Sequence, residues 1–78
     1  MKEALLDIHG YVESDAIKEI EKTIAALDDD IKLLRIIHGH NEGHVLKNMI
    51  AHPHKVRSKR IKRRRYTKNP GETLLELY

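Results

Sequence analysis

The 78-residue chain has no cysteine, which rules out disulfides and thiolate metal ligands and leaves a small core to stand on packing alone. No apolar run approaches membrane-spanning length, and Asp7 falls where a secretory signal would carry its apolar stretch. No membrane partner is therefore expected, and a cytoplasmic location is the default. Acidic residues are missing from one whole region. Residues 43–71 hold ten Lys/Arg and no Asp or Glu, whereas residues 1–42 hold five Lys/Arg against ten Asp/Glu. The formal net charge of +3 hides this asymmetry. There are no repeats, and nothing is of low complexity beyond the basic run.

With 40% hydrophobic residues, the chain is long enough for one small domain, 1–78, and no second. Residues 4–9 read as a short strand, with Leu6 and Ile8 on one side and Leu5, Asp7 and His9 on the other. From Ser14 to about Leu27, the residues Ala16, Ile17, Ile20, Ile24 and Leu27 recur at helical spacing, and Glu13 and Asp15 favour the N-terminal end. Asp28, Asp29 and Asp30 close that helix poorly, since acids oppose the dipole at a C-terminus. Residues 32–38 form the most hydrophobic run, which predicts a buried central strand. Val45, Leu46, Met49 and Ile50 give a second helix, stopped by Pro53. Residues 55–62 alternate basic with small or apolar groups and read as a third strand; Asn69-Pro70-Gly71 is a turn, and 73–78 a last strand.

This order, β-α-β-α-β-β, predicts an α/β two-layer sandwich. A right-handed crossover makes the first two strands parallel, and the closing turn makes the last antiparallel, giving a mixed four-stranded sheet with two helices on one face. The other face would carry Asp7, Arg35 and several basic residues.

Asp7-Ile8-His9-Gly10 and Ile37-His38-Gly39 each end a strand and lead toward a helix. Parallel strands would bring these histidines and glycines to one edge, where α/β sheets keep ligand sites. Asp7 and His9, two apart on a strand, let a carboxylate orient an imidazole for acid–base work. Phosphodiester hydrolysis needs a base, an acid and positive charge at the phosphorane; Asp7, His9, His38 and nearby amides are the candidates. From spacing alone the pair fits a structural reading better, with Asp7 capping the turn and His9 bonded to backbone. The segment Gly39-His40-Asn41-Glu42-Gly43 has the makings of a phosphate-collecting loop or of a plain strand-to-helix connection. His40 and His44 have i,i+4 spacing, but one precedes the helix and the other begins it, so no dedicated metal site is assigned.

Lys55, Arg57, Lys59, Arg60, Lys62, Arg63, Arg64, Arg65 and Lys68 repel one another without an acid among them, a cost that a polyanion relieves. Tyr66 is able to stack on a base. Without a groove-reading helix rich in Arg or Asn, recognition should follow phosphates and shape.

Leu6-Asp7-Ile8-His9-Gly10 resembles the Leu-Asp-Leu-His-Gly motif of the Smr (small MutS-related) domain. Ile37-His38-Gly39-His40-Asn41-Glu42-Gly43-His44-Val45-Leu46 resembles its second motif, His-Gly-x-Gly-x-Gly followed by an aliphatic helix. The similarity covers nearly the whole chain. It implies a fold similar to the C-terminal domain of bacterial translation initiation factor three, and endonuclease or nicking activity on DNA or cleavage of RNA. By resemblance, Asp7 and His9 are the catalytic candidates, Gly10 shapes their turn, and Gly39 and Gly43 let phosphate approach. Asn41 departs from the motif's middle glycine and adds bulk there; Val12 stands where a threonine cap is frequent, leaving Ser14 as the expected cap.

The sequence thus reads as a nucleic-acid endonuclease, a phosphodiester hydrolase binding DNA or RNA through its basic strand and loop. A divalent cation such as magnesium would serve DNA hydrolysis more than self-cleavage of RNA. The alternatives are a non-catalytic RNA- or ribosome-binding module and a protein-interaction domain.

Overall fold

The computed structural model describes residues 2–39 and 43–78; the expectations for His40, Asn41 and Glu42 lie outside them. The elements are β1 (Lys2–Asp7), α1 (Glu13–Ala26), β2 (Ile31–Ile37), α2 (Gly43–Ala51), β3 (Ile61–Tyr66) and β4 (Glu72–Leu77). They form one four-stranded sheet in the order β1-β2-β4-β3. β1 and β2 are parallel, and β4 runs antiparallel to both β2 and β3. No helix among the described residues is long and apolar enough to cross a membrane.

Alternation along the strands decides the two faces. Ile8, Leu34, Ile36, Leu75 and Leu77 point to the helix side and bury with Ala16, Ile20 and Ile24 of α1 and Leu46, Met49 and Ile50 of α2. The opposite face is open. There Arg35 donates from Nε and Nη2 to the Glu3 carboxylate at 2.9 and 3.2 Å, and from Nη1 to Glu72. Arg63 and Arg65 stand 3.6 and 3.8 Å from Glu76.

Three sequence expectations are corrected. The third strand begins at Ile61, not Lys55. In the stretch before it, Val56 is drawn into the core, Arg57 N–H donates to Glu21, and Ile61 N–H closes a turn onto the Ser58 carbonyl. Val56 and Ile61 are five apart, so no single strand face could bury both. The cap of α1 is Val12, extended and without a side-chain hydrogen bond, and Ser14 lies inside the first turn. Finally, the basic run does not lie on one strand and its loop, since Lys55, Arg57, Lys59 and Arg60 all precede β3.

Two of its arginines close the helices. Arg60 donates to four carbonyls at the α1 exit: Ile24 at 3.2 Å and Leu27 at 2.9 Å from Nη1, Asp28 at 3.1 Å and Ile31 at 3.0 Å from Nη2. Arg64 donates from Nε to the Ile50 carbonyl at 2.7 Å and from Nη2 to that of Val56 at 2.8 Å. A helix's last carbonyls lack intrahelical donors and carry its negative dipole end, so a planar cation with several N–H groups satisfies both needs. Neither helix has a basic residue in its own last turn. The cations come from the segment that crosses beneath.

Arg60→Ala should therefore lower the unfolding free energy by about 2–3 kcal/mol, as expected when hydrogen bonds to a charged group are lost. Arg60→Lys should recover only part of it, while exposed Lys59→Ala should stay within about 0.5 kcal/mol. Urea denaturation of the three variants checks this.

Candidate functional site

The parallel pairing of β1 with β2 puts Asp7 opposite Ile37. Ile8 N–H carries the ladder one step further, donating to the Ile37 carbonyl at 2.8 Å. Both strands then end in a glycine at positive φ, Gly10 at 79° and Gly39 at 90°, where any other residue is strained. A Cβ built on Gly39 would meet His9 Cβ at 3.7 Å, so the two motifs touch at this rim. The entry to β4 joins them: the Gly71 carbonyl accepts from His38 N–H at 2.9 Å and Gly39 N–H at 3.0 Å.

Asp7 and His9 form the expected pair. Asp7 Oδ1 accepts from His9 N–H at 3.0 Å and from His9 Nδ1 at 2.7 Å. The backbone bond first, and the imidazole bond second, hold the Asp7 carboxyl below its ordinary value, so it stays ionised at neutral pH. Binding through Nδ1 fixes the tautomer. It leaves Nε2 facing solvent, and His9 is exposed.

His38 differs. Its side chain is 2% exposed and turned to the helix side, with Nε2 2.9 Å from Thr73 Oγ1 and Nδ1 3.2 Å from the Gly39 carbonyl. Since a carbonyl only accepts, Nδ1 carries the proton and Thr73 donates to Nε2. Burial lowers the His38 pKa; the hydrogen bond to the Gly39 carbonyl opposes this in part, and the nearby Lys47 ammonium adds a smaller lowering. This is a neutral imidazole that ties strand ends together, without a free nitrogen to offer a substrate. Alternation already placed it with Leu34 and Ile36, but the matching glycine motifs drew attention to chemistry instead.

The basic candidates are dispersed. Lys55 pairs with Glu13 at 2.7 Å, and Arg57 Nε donates to the His54 carbonyl at 3.0 Å. Arg60 sits by Ile31 at the start of β2, the length of that strand, about 20 Å, from Gly39. Arg64 is committed to α2, and Arg63 and Arg65 lie beside Glu76 on the open face. Lys59, Lys62 and Lys68 are exposed, and of these Lys68 follows the end of β3 at the His9 side of the sheet. Lys47 was missed by the sequence reading because it is a single cation among apolar helix residues. Its Nζ lies 4.8 Å from the Tyr66 ring centre, and it adds positive charge to the same rim. Gly43 opens α2.

As to a metal, no three His, Asp or Glu side chains among the described residues gather to hold one.

The sequence profile of the Smr domain matches residues 6–73. Among solved structures, the chain is similar to the Smr domain of Thermus thermophilus MutS2, with 20% sequence identity, a TM-score of 0.72 and coverage of 100% of this chain and 99% of that one. At that identity the likeness speaks for the fold. No curated protein sequence matches.

Because burial lowers the His38 pKa from its ordinary 6.5, an unfolded chain binds this proton more readily than the folded one. The stability gained from neutral His38 should be complete above that value and drain away as pH falls through the lower folded one. Unfolding free energies measured between about pH 7 and 5 should decline, and His38→Gln should flatten that part of the curve.

Proposed function

The chain belongs to the Smr domain family, which is associated with nucleic-acid binding and nuclease action, and from that premise we propose that it cleaves phosphodiester bonds at the Asp7–His9 rim. The observation that carries this reading is the His9 imidazole, anchored at Nδ1 by an ionised carboxylate and free at Nε2, beside the positive-φ glycine Gly39.

His9 Nε2 takes the proton from the attacking hydroxyl as its oxygen forms a bond to phosphorus, and returns it to the leaving oxygen as the second P–O bond breaks. Asp7 keeps the ring oriented and balances the charge of the imidazolium formed between those steps, as a buried acid does for other catalytic histidines. Lys47 and Lys68 supply positive charge at this end. Gly39 N–H donates to Gly71, so the glycine contributes space more than a hydrogen bond. With RNA, the 2′-hydroxyl is the attacking group, leaving a cyclic phosphate and a 5′-hydroxyl; this needs only the groups present. The internal 2′-hydroxyl nucleophile makes RNA, including the RNA of a ribosome, the favoured substrate, and a DNA nick by water the more demanding one.

A second reading is a binding module without catalysis. It is favoured by the engagement of both His38 nitrogens, which leaves one imidazole to act alone.

Labelled RNA, duplex DNA and branched DNA incubated with the protein, with and without chelator, separate the two. Expected are RNA products with cyclic phosphate ends that persist in chelator. His9→Ala and Asp7→Asn should each reduce the rate by about 10²- to 10⁴-fold, the usual contribution of a positioned acid–base group. Equal product from His9→Ala and the unaltered protein would exclude His9 from the chemistry. Salt-sensitive binding without any product would establish the module instead.

A further inference from the structure

The chain has three aromatic residues, all tyrosines, and none is in the core, which is built from Ile, Leu, Val, Met and Ala. Tyr11 is 42% exposed, Tyr66 60% and Tyr78 66%. Aromatic rings bury more apolar surface than any other side chain and usually dominate small cores. Here they face solvent, and two of them stand at the strand ends that carry the site.

Tyr11 follows Gly10, two residues beyond His9, in the turn closed by its N–H on the Ile8 carbonyl at 3.1 Å. Tyr66 is the last residue of β3, opposite Thr73. Thr73 lies opposite Ile36, and Ile36 opposite Leu6, so Tyr66 and the Asp7–His9 turn belong to the same end of the sheet. Lys47 Nζ, 4.8 Å from the Tyr66 ring centre, steadies the ring and sets a cation next to whatever stacks on it. β1 and β3 are three strand spacings apart, about 14 Å. At about 3.4 Å per stacked nucleotide, this is a span of roughly four.

We propose that Tyr11 and Tyr66 are base-stacking platforms on the rim that carries His9, and that the ligand is an unpaired nucleic-acid strand laid across the strand ends, one base on each ring. The inference rests on the nuclease reading and narrows its substrate. A ring stacks only on an exposed base face, which a duplex withholds unless it opens at a cost of a few kcal/mol. Stacking on tyrosine is tolerant of sequence, in keeping with a rim that offers no array of groove-reading side chains.

Tyr78 is the internal control. It follows β4 at the opposite end of the sheet, where its N–H donates to the Arg60 carbonyl at 2.9 Å.

The test measures binding, by anisotropy at one fixed salt concentration, of oligothymidylate and oligouridylate of about eight nucleotides, an abasic chain of equal length, and a blunt duplex. The base-bearing single strands should bind about tenfold or more tighter than the abasic chain, and tighter than the duplex. Tyr66→Leu and Tyr11→Leu should each weaken them by about 5- to 100-fold without changing abasic binding. Tyr66→Phe should retain affinity, and Tyr78→Leu should match the unaltered protein. Equal affinity for base-bearing and abasic chains, equal loss in Tyr66→Phe and Tyr66→Leu, or a Tyr78→Leu loss as large as that of Tyr66→Leu would each overturn the proposal. A protein that cuts RNA but ignores bases would overturn this inference and leave His9 chemistry standing. One that stacks bases but cuts nothing would do the reverse.

Discussion

The parallel pairing of β1 and β2 is the constraint on which the rest depends. A parallel pair must be joined by a crossover, and α1 supplies it, packing Ala16, Ile20 and Ile24 onto the sheet as it returns. The same geometry makes both strands end at one rim. Because Asp7 is opposite Ile37, the residues after each, His9 and Gly39, arrive side by side, although thirty positions separate the two motifs. An antiparallel pair would have sent them to opposite ends. The Gly71 carbonyl, taking both His38 N–H and Gly39 N–H, then ties the β4 entry to that rim, and the Thr73 contact to His38 Nε2 locks it from the core side. The rim is thus held by backbone and by one buried imidazole, leaving His9 itself free of structural duty beyond its bond to Asp7.

The basic segment shows how self-repulsion can be relieved from within. Nine cations without a neighbouring acid would be costly on a small domain, yet several meet partial negative charge that the sequence does not display as acid. Arg60 and Arg64 find it on the terminal carbonyls of the two helices, Arg57 on the His54 carbonyl. Arg60 also answers the awkward exit of α1, where Asp28, Asp29 and Asp30 add negative charge to a negative dipole end. A guanidinium with four carbonyl acceptors is the counterweight. What looked like a single surface for a polyanion is in large part scaffold.

Those features mark what the sequence could and could not convey. Periodicity is local, so both helices, the central strand and the sheet faces were readable from residues such as Ile17, Ile20 and Ile24 or Leu34 and Ile36. The two glycine motifs located the rim, and Asp7 and His9 are hydrogen-bonded there as expected. Misplacement of the third strand arose because alternation of charge imitates alternation of burial: Val56 enters the core from a loop, and only the pairing of Ile61 with Leu77 fixes where the strand starts. His38 was read as chemical from its motif, though its parity along β2 put it inside. Lys47 gave no signal at all, since its meaning depends on Tyr66, brought near by a crossover that periodicity does not see.

Charge is distributed differently on the open face and at the rim. The open face of the sheet carries Glu3, Asp7, Glu72 and Glu76 against Arg35, Arg63 and Arg65, and these are largely paired with one another. A polyanion gains little there, because every cation it reaches already has a carboxylate within about 4 Å. The strand ends are different: Lys47 and Lys68 have no carboxylate partner among the described residues, so their charge is there for a phosphate to meet. Asp7 is the exception on this path, an ionised group placed close to where phosphate must pass. Its charge is tolerable because Oδ1 is turned onto His9 through two hydrogen bonds, and it becomes an advantage once His9 takes a proton, when the pair is neutral as a whole and the imidazolium stands between carboxylate and phosphate. Repulsion before proton transfer and its relief afterwards favour the state in which the base has done its work, which is the requirement for a group that accelerates a reaction instead of merely binding its substrate.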